Sequence, residues 1–144
     1  MNTSTLKRGM NLLTATVITV GAVMTVGSGT ASAAVPENVR FYDSGKMSDG
    51  SRFVEVFVNG TYSGIGYWHA DGDTLEAVDP HPDGFGIAAY LSTSPVREAS
   101  TYGHSSPYTA KTGGNLTEDK SYKFWVCIGG NAGQKCSDQY SVTS

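Results

Sequence analysis

The chain has 144 residues, and all 13 of its acidic residues and all 15 of its aromatic ones lie beyond residue 33, so that part carries 8 basic against 13 acidic groups and a net charge of −5. That balance argues against nucleic-acid or anionic-membrane binding, both of which need a clustered positive field. Once the leader described next is removed, about 110 residues remain, enough to bury one core and too few for two.

Lys7 and Arg8 form a short positive region, Leu12 to Val26 is an uncharged apolar run, and Ala31-Ser32-Ala33 supplies the small residues a signal peptidase reads. The pattern predicts an export signal over 1–33, cleaved after Ala33 or Ala34. The apolar run is interrupted by threonines and is shorter than the roughly 20 residues of a spanning helix, so no membrane span is expected after cleavage. No cysteine precedes Cys127 and Lys7-Arg8 is not a paired arginine, which excludes a lipid anchor at the mature N-terminus and a twin-arginine route. The expected product is a secreted single domain over 34–144, extracellular or cell-wall associated.

Beyond Ala34 there is no helical apolar periodicity. Short runs of β-branched and aromatic residues alternate with Gly, Asn, Asp and Pro, which predicts an all-β, antiparallel sandwich of seven or eight strands. Val39 to Tyr42 is the first strand. Arg52–Val58, Asn59-Gly60 and Thr61–Trp68 form a hairpin, because Asn-Gly accepts the positive φ angles of a type I′ turn. A two-residue turn sets Val58 opposite Thr61, Val56 opposite Ser63, Val54 opposite Ile65, Phe57 opposite Tyr62 and Phe53 opposite Gly66. Val54, Val56, Val58 and Ile65 then form a core face, and Phe53, Phe57, Tyr62, Trp68 and Glu55 the opposite one. Those aromatics either cover Gly64 and Gly66 or form a ligand platform.

Ala70 to Gly84 reads as a polar loop. It holds Asp71, Asp73, Glu76, Asp79 and Asp83, with no Lys or Arg between Arg52 and Arg97. Carboxylates on one flexible loop suggest a Ca²⁺ site built from Asp71, Asp73, Asp79 and Asp83, with a solvated acidic loop as the alternative. Asp71-Gly72-Asp73 opens like an EF-hand, but Leu75 and Glu76 occupy the third-ligand and glycine positions, so that motif is rejected. Gly84 to Leu91 alternates cleanly and predicts a strand with Phe85, Ile87, Ala89 and Leu91 on its buried face. Ser92 to Pro95 is a turn, and Val96 to Tyr108 supplies one or two edge strands.

Near the C-terminus, Leu116 is followed six residues later by Tyr122, and Phe124 and Val126 continue the same face. This stretch resembles the end of a fibronectin type III domain, with Ser137 to Thr143 as the closing strand. The resemblance implies a tyrosine corner, in which the Tyr122 hydroxyl ties back to the preceding turn. The mature sequence is also similar to small secreted actinobacterial proteins of unknown function. Alternation places Lys123, Trp125 and Cys127 outward. The only cysteines, Cys127 and Cys136, predict a disulfide in an oxidising compartment. It would staple the glycine-rich loop from Ile128 to Lys135 between the last two strands. Trp125 and Lys123 beside Gly129, Gly130 and Asn131 make this the first candidate binding site, since tryptophan is over-represented among hot spots. The alternative is a structural Trp125, stacked on the disulfide or lying under the chain's extra acidic loop.

No catalytic motif stands out. Glu55, Glu76 and Glu98 as an acid–base pair, serines near His104, and a zinc site from His69, His81 and Asp79 all lack diagnostic spacing. Asn59-Gly60-Thr61 and Asn115-Leu116-Thr117 match the glycosylation acceptor pattern, but both sit where turns favour Asn in any case. The expectation is a monomeric, noncatalytic binding module without a resident cofactor, whose partner is an extracellular carbohydrate or protein. An inhibitor of an extracellular hydrolase and a structural envelope protein are the alternatives.

Overall fold

The computed structural model describes residues 35–144, so the export signal and its cleavage site lie outside the described residues. Ten strands follow in chain order: β1 (Val39–Asp43), β2 (Arg52–Val58), β3 (Thr61–His69), β4 (Thr74–Asp79), β5 (Gly86–Leu91), β6 (Arg97–Ser100), β7 (Tyr108–Thr112), β8 (Ser121–Gly130), β9 (Gly133–Cys136) and β10 (Tyr140–Thr143). They form two antiparallel sheets, one ordered β1-β2-β3-β4-β7 and the other β10-β8-β5-β6, with β9 also paired to β8. No helix occurs among the described residues. The architecture is the expected all-β sandwich, with more strands than the sequence suggested.

The core lies between the sheets and follows strand alternation. Val54, Val56, Trp68, Leu75 and Ala77 face inward from the first sheet. Ile87, Ala89, Leu91, Phe124, Val126 and Val142 meet them from the second. Arg52 ties the two layers together at one corner. Its guanidinium forms a two-pronged pair with Asp43, donates to the Ser141 carbonyl at 3.1 Å and lies 4.5 Å over the Tyr140 ring.

The β2–β3 hairpin departs from the predicted register. Val58 pairs with Thr61 and Phe57 with Tyr62 as expected, but then Val56 pairs with Gly64, Glu55 with Ile65, Val54 with Gly66 and Phe53 with Tyr67. Ser63 is the extra residue of a β-bulge, so every later side chain of β3 swaps faces. Trp68, assigned by the sequence to the aromatic platform, is fully buried, and its indole N–H donates to the Thr143 carbonyl at 3.0 Å. Gly64 and Gly66 turn inward, where a Cβ on Gly66 would overlap Val126 and one on Gly64 would overlap Ile87. These glycines let the second sheet approach, rather than lying beneath outer aromatics. Ile65, expected in the core, is buried as expected but on the other face, beside Glu55 and Val78.

The acidic segment is also not a continuous loop. Thr74 to Asp79 is strand β4, lying between β3 and the edge strand β7, with Leu75 and Ala77 buried inward and Glu76 and Val78 turned outward. Six-residue alternation is present in the sequence, but its flanking aspartates and glycines mask it. At the C-terminal end, the expected loop from Ile128 to Lys135 is mostly strand. Gly130 pairs with Gly133, leaving Asn131 and Ala132 as the turn. The Cys127–Cys136 disulfide joins directly opposed residues with Cα atoms 4.0 Å apart. Gly129 must be glycine, because its φ is +156° and a Cβ there would overlap the Gly133 carbonyl.

Tyr122 is buried in the core, as the fibronectin-like pattern implies. The corner before it is held by other groups. The Leu116 N–H donates to Asp73 at 2.6 Å and the Ser144 hydroxyl to the Thr117 carbonyl at 2.5 Å, and neither contact uses the Tyr122 hydroxyl.

Candidate functional site

The outer face of the first sheet carries the largest set of outward aromatics. Register places Arg40 beside Phe57 and Tyr42 beside Glu55 across β1 and β2. The rings touch in sequence across the strands: Tyr42 meets Phe57 edge-on at 5.1 Å, Phe57 meets Tyr62 at 5.6 Å, and Tyr62 meets His81 at 6.2 Å. One step along the strands, Phe53 lies 5.7 Å from Tyr67, which stacks on His69 at 5.4 Å. Tyr42 is half exposed, at 50%. The row is therefore accessible at its β1 end and grades into partly buried rings toward the sheet centre.

A shallow groove of about 960 Å³ opens at the β1 end of this row. Tyr42, Phe57 and Val39 supply its apolar surface, while Arg40, Glu55, Asn38 and Asn59 surround it with hydrogen-bonding groups of both charges. Asn38 donates to the Asn59 side chain at 3.0 Å, fixing the rim against the hairpin turn. Burial raises the phenol pKa of Tyr62 and Tyr67, and the nearby carboxylates Glu55 and, for Tyr67, Glu76 act in the same direction. Both phenols therefore stay protonated as donors. Glu76 accepts from His69 at 2.9 Å and lies 3.3 Å from Lys111, so it is already engaged.

The sequence identified Phe53, Phe57 and Tyr62 on this face and missed Tyr42, Tyr67 and Arg40. Tyr67 reaches the face only through the bulge at Ser63. Tyr42 and Arg40 join because β1 pairs with β2 across a connection of eight residues, whose turn-rich Asp43-Ser44-Gly45 and Ser48-Asp49-Gly50 do not by themselves fix which residues of the two strands face each other.

The first sequence candidate is divided by the structure. Trp125 points outward from the second sheet, half buried, and stacks on Tyr90 at 5.3 Å with ring planes 13° apart. Tyr90 in turn donates to Glu98 at 3.2 Å, so one row runs Glu98, Tyr90, Trp125 across β6, β5 and β8. One face of the indole is thus occupied by the Tyr90 phenol. Lys123 is exposed and donates to Ser141 at 2.9 Å. Gly129, Gly130 and Asn131 lie at the far end of β8, against a different cavity that does not include Trp125.

The four aspartates proposed for Ca²⁺ are not brought together. Asp73 and Asp79 sit at opposite ends of β4, about 20 Å apart along an extended strand. Asp73 accepts the Leu116 N–H and is otherwise buried with Oδ1 unpartnered. Asp79 is buried, accepts the Ser106 hydroxyl at 2.5 Å and the His81 N–H at 3.2 Å, and burial raises its pKa. Asp83 accepts the bulge hydroxyl of Ser63 at 2.8 Å and the Phe85 N–H at 3.0 Å. Asp71 is exposed. Three of the four thus clamp loops to the sheets. Among the described residues no three His, Cys, Asp or Glu side chains converge on a metal position.

The acid–base candidates are similarly dispersed. Glu55 and Glu76 are on one face but separated by β3, and Glu98 is on the other sheet. His104 stacks on Tyr108 at 3.8 Å while Ser106 bonds to Asp79. Among the described residues no helix is long and apolar enough to cross a membrane, and the disulfide fits an oxidising compartment. Compared with known protein families, curated proteins and solved structures, the chain matches none.

Proposed function

We propose that this protein is a secreted, noncatalytic binding module that holds a polysaccharide of the cell wall or surrounding medium on the outer face of its first sheet. The observation that carries the reading is the exposed Tyr42 ring, set edge-on against the half-buried Phe57, flooring a groove rimmed by Asn38, Arg40, Glu55 and Asn59. Sugar rings present an apolar C–H face to aromatic rings and hydroxyls to amide, carboxylate and guanidinium groups, and this groove offers both. The rim carries one positive and one negative side chain, which suits an uncharged chain better than an ion.

The fibronectin-like resemblance gains support from connectivity. Without β1, β2 and β9, the remaining strands divide into β3, β4 and β7 against β6, β5, β8 and β10, seven strands in two sheets as in immunoglobulin-type sandwiches. On this reading β1 and β2 are an added hairpin that widens one sheet and brings most of the outward aromatics with it. Fold kinship alone would not assign a ligand.

The test is a pull-down on insoluble chitin, cellulose and purified cell wall, with Tyr42→Ala/Phe57→Ala and Trp125→Ala run beside the wild type. The proposal expects retention that is lost in the double variant and kept in Trp125→Ala, with unchanged melting temperatures. Loss confined to Trp125→Ala would move the site to the second sheet. The hydrolase-inhibitor reading draws on the stapled β8–β9 hairpin, whose exposed Asn131–Ala132 tip is ordered before contact and so loses little entropy on binding. No retention on any matrix, with stoichiometric slowing of a secreted protease or glycosidase, would replace the carbohydrate reading with that one.

A further inference from the structure

A second cavity, of about 360 Å³, lies where the β4–β5 and β6–β7 connections meet the β8–β9 turn. It shares no lining residue with the aromatic groove. Phe85 and Gly86 contribute where the β4–β5 connection enters β5, and Gly130 and Asn131 where β8 enters its turn to β9. The β6–β7 connection contributes Tyr102, His104 and Ser105.

The committed hydrogen bonds show which groups are left for a ligand. Thr101, which also lines the cavity, accepts the Ile87 N–H at 2.8 Å, and Ser106 is held by Asp79. The Tyr102 hydroxyl bonds to Gln134 at 3.1 Å while its ring lies against Gly86. That leaves His104, oriented by its stack on Tyr108, together with Ser105 and Asn131 as polar groups, and the half-buried Phe85 and Tyr102 rings as apolar ones. No Lys, Arg, Asp or Glu is among the lining residues, so no permanently charged side chain is there to balance an ion. Gly84 and Gly103 are exposed on the wall, while Gly86 and Gly129 are buried and pair with each other across β5 and β8.

An uncharged ligand with one apolar face and several hydroxyls fits this lining. The volume is near the lower end of small-molecule sites, about 300 Å³, which limits the occupant to a small ring or two. We propose that the cavity is a second site, taking the end of a neutral glycan, one or two sugar rings, independently of the aromatic groove. Rings would stack on Phe85 or Tyr102 while Asn131, Ser105 and His104 bond the hydroxyls.

Gly130 provides a clean test, because its backbone φ is ordinary and a Cβ there meets nothing within 4 Å. Gly130→Leu should crowd the cavity without strain in the fold. Amide resonances of the oxidised mature protein would be followed by NMR during titration with cellobiose, N,N′-diacetylchitobiose and maltose. The expected result is saturable shifts at residues 85–86, 102–105 and 129–131 with at least one disaccharide, weakened at least tenfold in Gly130→Leu and several-fold in Asn131→Ala. Asn131 is exposed at the turn, so its truncation keeps the test informative even if the leucine variant folds poorly. Absence of saturable shifts with all three sugars overturns the proposal. So do shifts confined to the outer face of the first sheet, which would support the groove alone, and affinity unchanged in both variants.

Discussion

Trp68 separates the bulged register from the simple one, because the two place its ring on opposite faces. In the structure the indole is fully buried between the sheets and donates to the Thr143 carbonyl at 3.0 Å. Trp68→Ala removes the largest fully buried side chain, a change that costs about 3–5 kcal/mol from lost transfer energy and the cavity left behind. Trp68→Phe keeps much of the volume but gives up the hydrogen bond, for about 1–2 kcal/mol. In a domain of about 110 residues one kcal/mol moves the melting temperature by roughly 4 °C, so the alanine variant should melt about 12–20 °C below the wild type. The phenylalanine variant should melt roughly 4–8 °C below it. Far-UV circular dichroism follows both without relying on the fluorescence of the residue removed. Retention on polysaccharide should survive in Trp68→Phe. An alanine variant that melts with the wild type but loses ligand would refute the buried placement, and with it the bulge at Ser63.

The same geometry sets four further expectations. Gly66→Val should cost about 1–3 kcal/mol by overpacking, since its Cβ would overlap Val126, and chemical denaturation would measure it. Replacing both Cys127 and Cys136 by serine should cost somewhat under 3 kcal/mol from the unfolded-state freedom regained by a ten-residue loop, read from urea midpoints of the variant and the oxidised wild type. Millimolar Ca²⁺ should leave the melting temperature unchanged, because Asp73, Asp79 and Asp83 are spent on separate loop clamps; a rise of several degrees would show a shared site. Burial raises the Asp79 pKa, so between its unfolded and folded values the native state holds more protons and stability falls as pH rises. Asp79→Asn should remove that loss, so its stability relative to wild type should grow as the pH of paired melts is raised from 4 to 7.

Most of the fold was legible because half-buried strands write themselves as alternation. Ile87, Ala89 and Leu91, and Tyr122, Phe124 and Val126, face the core in the pattern their spacing implies. What escaped had a local cause in each case. β4 alternates as cleanly as β5, but Asp79 at its end is a buried carboxylate, and burial there is made tolerable by Ser106 and the His81 N–H, partners that only the folded connections supply. The bulge was invisible because Ser63 is held by Asp83, twenty residues away, across a turn whose conformation the sequence does not state. A period-two pattern has no internal check against one inserted residue, so the error carried through Gly64, Ile65, Gly66 and Trp68 together.

That same insertion explains why the candidate site was only partly visible. In an unbulged hairpin the aromatic face would hold Trp68 and leave Tyr67 inside. The extra residue sends the larger ring into the core, where an all-carbon surface and one N–H can be satisfied by Thr143, and brings Tyr67 out to lie beside Phe53. Tyrosine is the better outer residue, since its hydroxyl stays hydrated while its ring covers the sheet. The outer face that results is built from rings that steady one another edge to face, ending at Tyr42 where β1 is an edge strand and the groove opens. The core in turn needs Gly64 and Gly66 inward, because only their missing side chains let Ile87 and Val126 close against β3. One bulge therefore satisfies both faces of the sheet, which gives the hairpin a reason to keep it whether or not a ligand is ever bound.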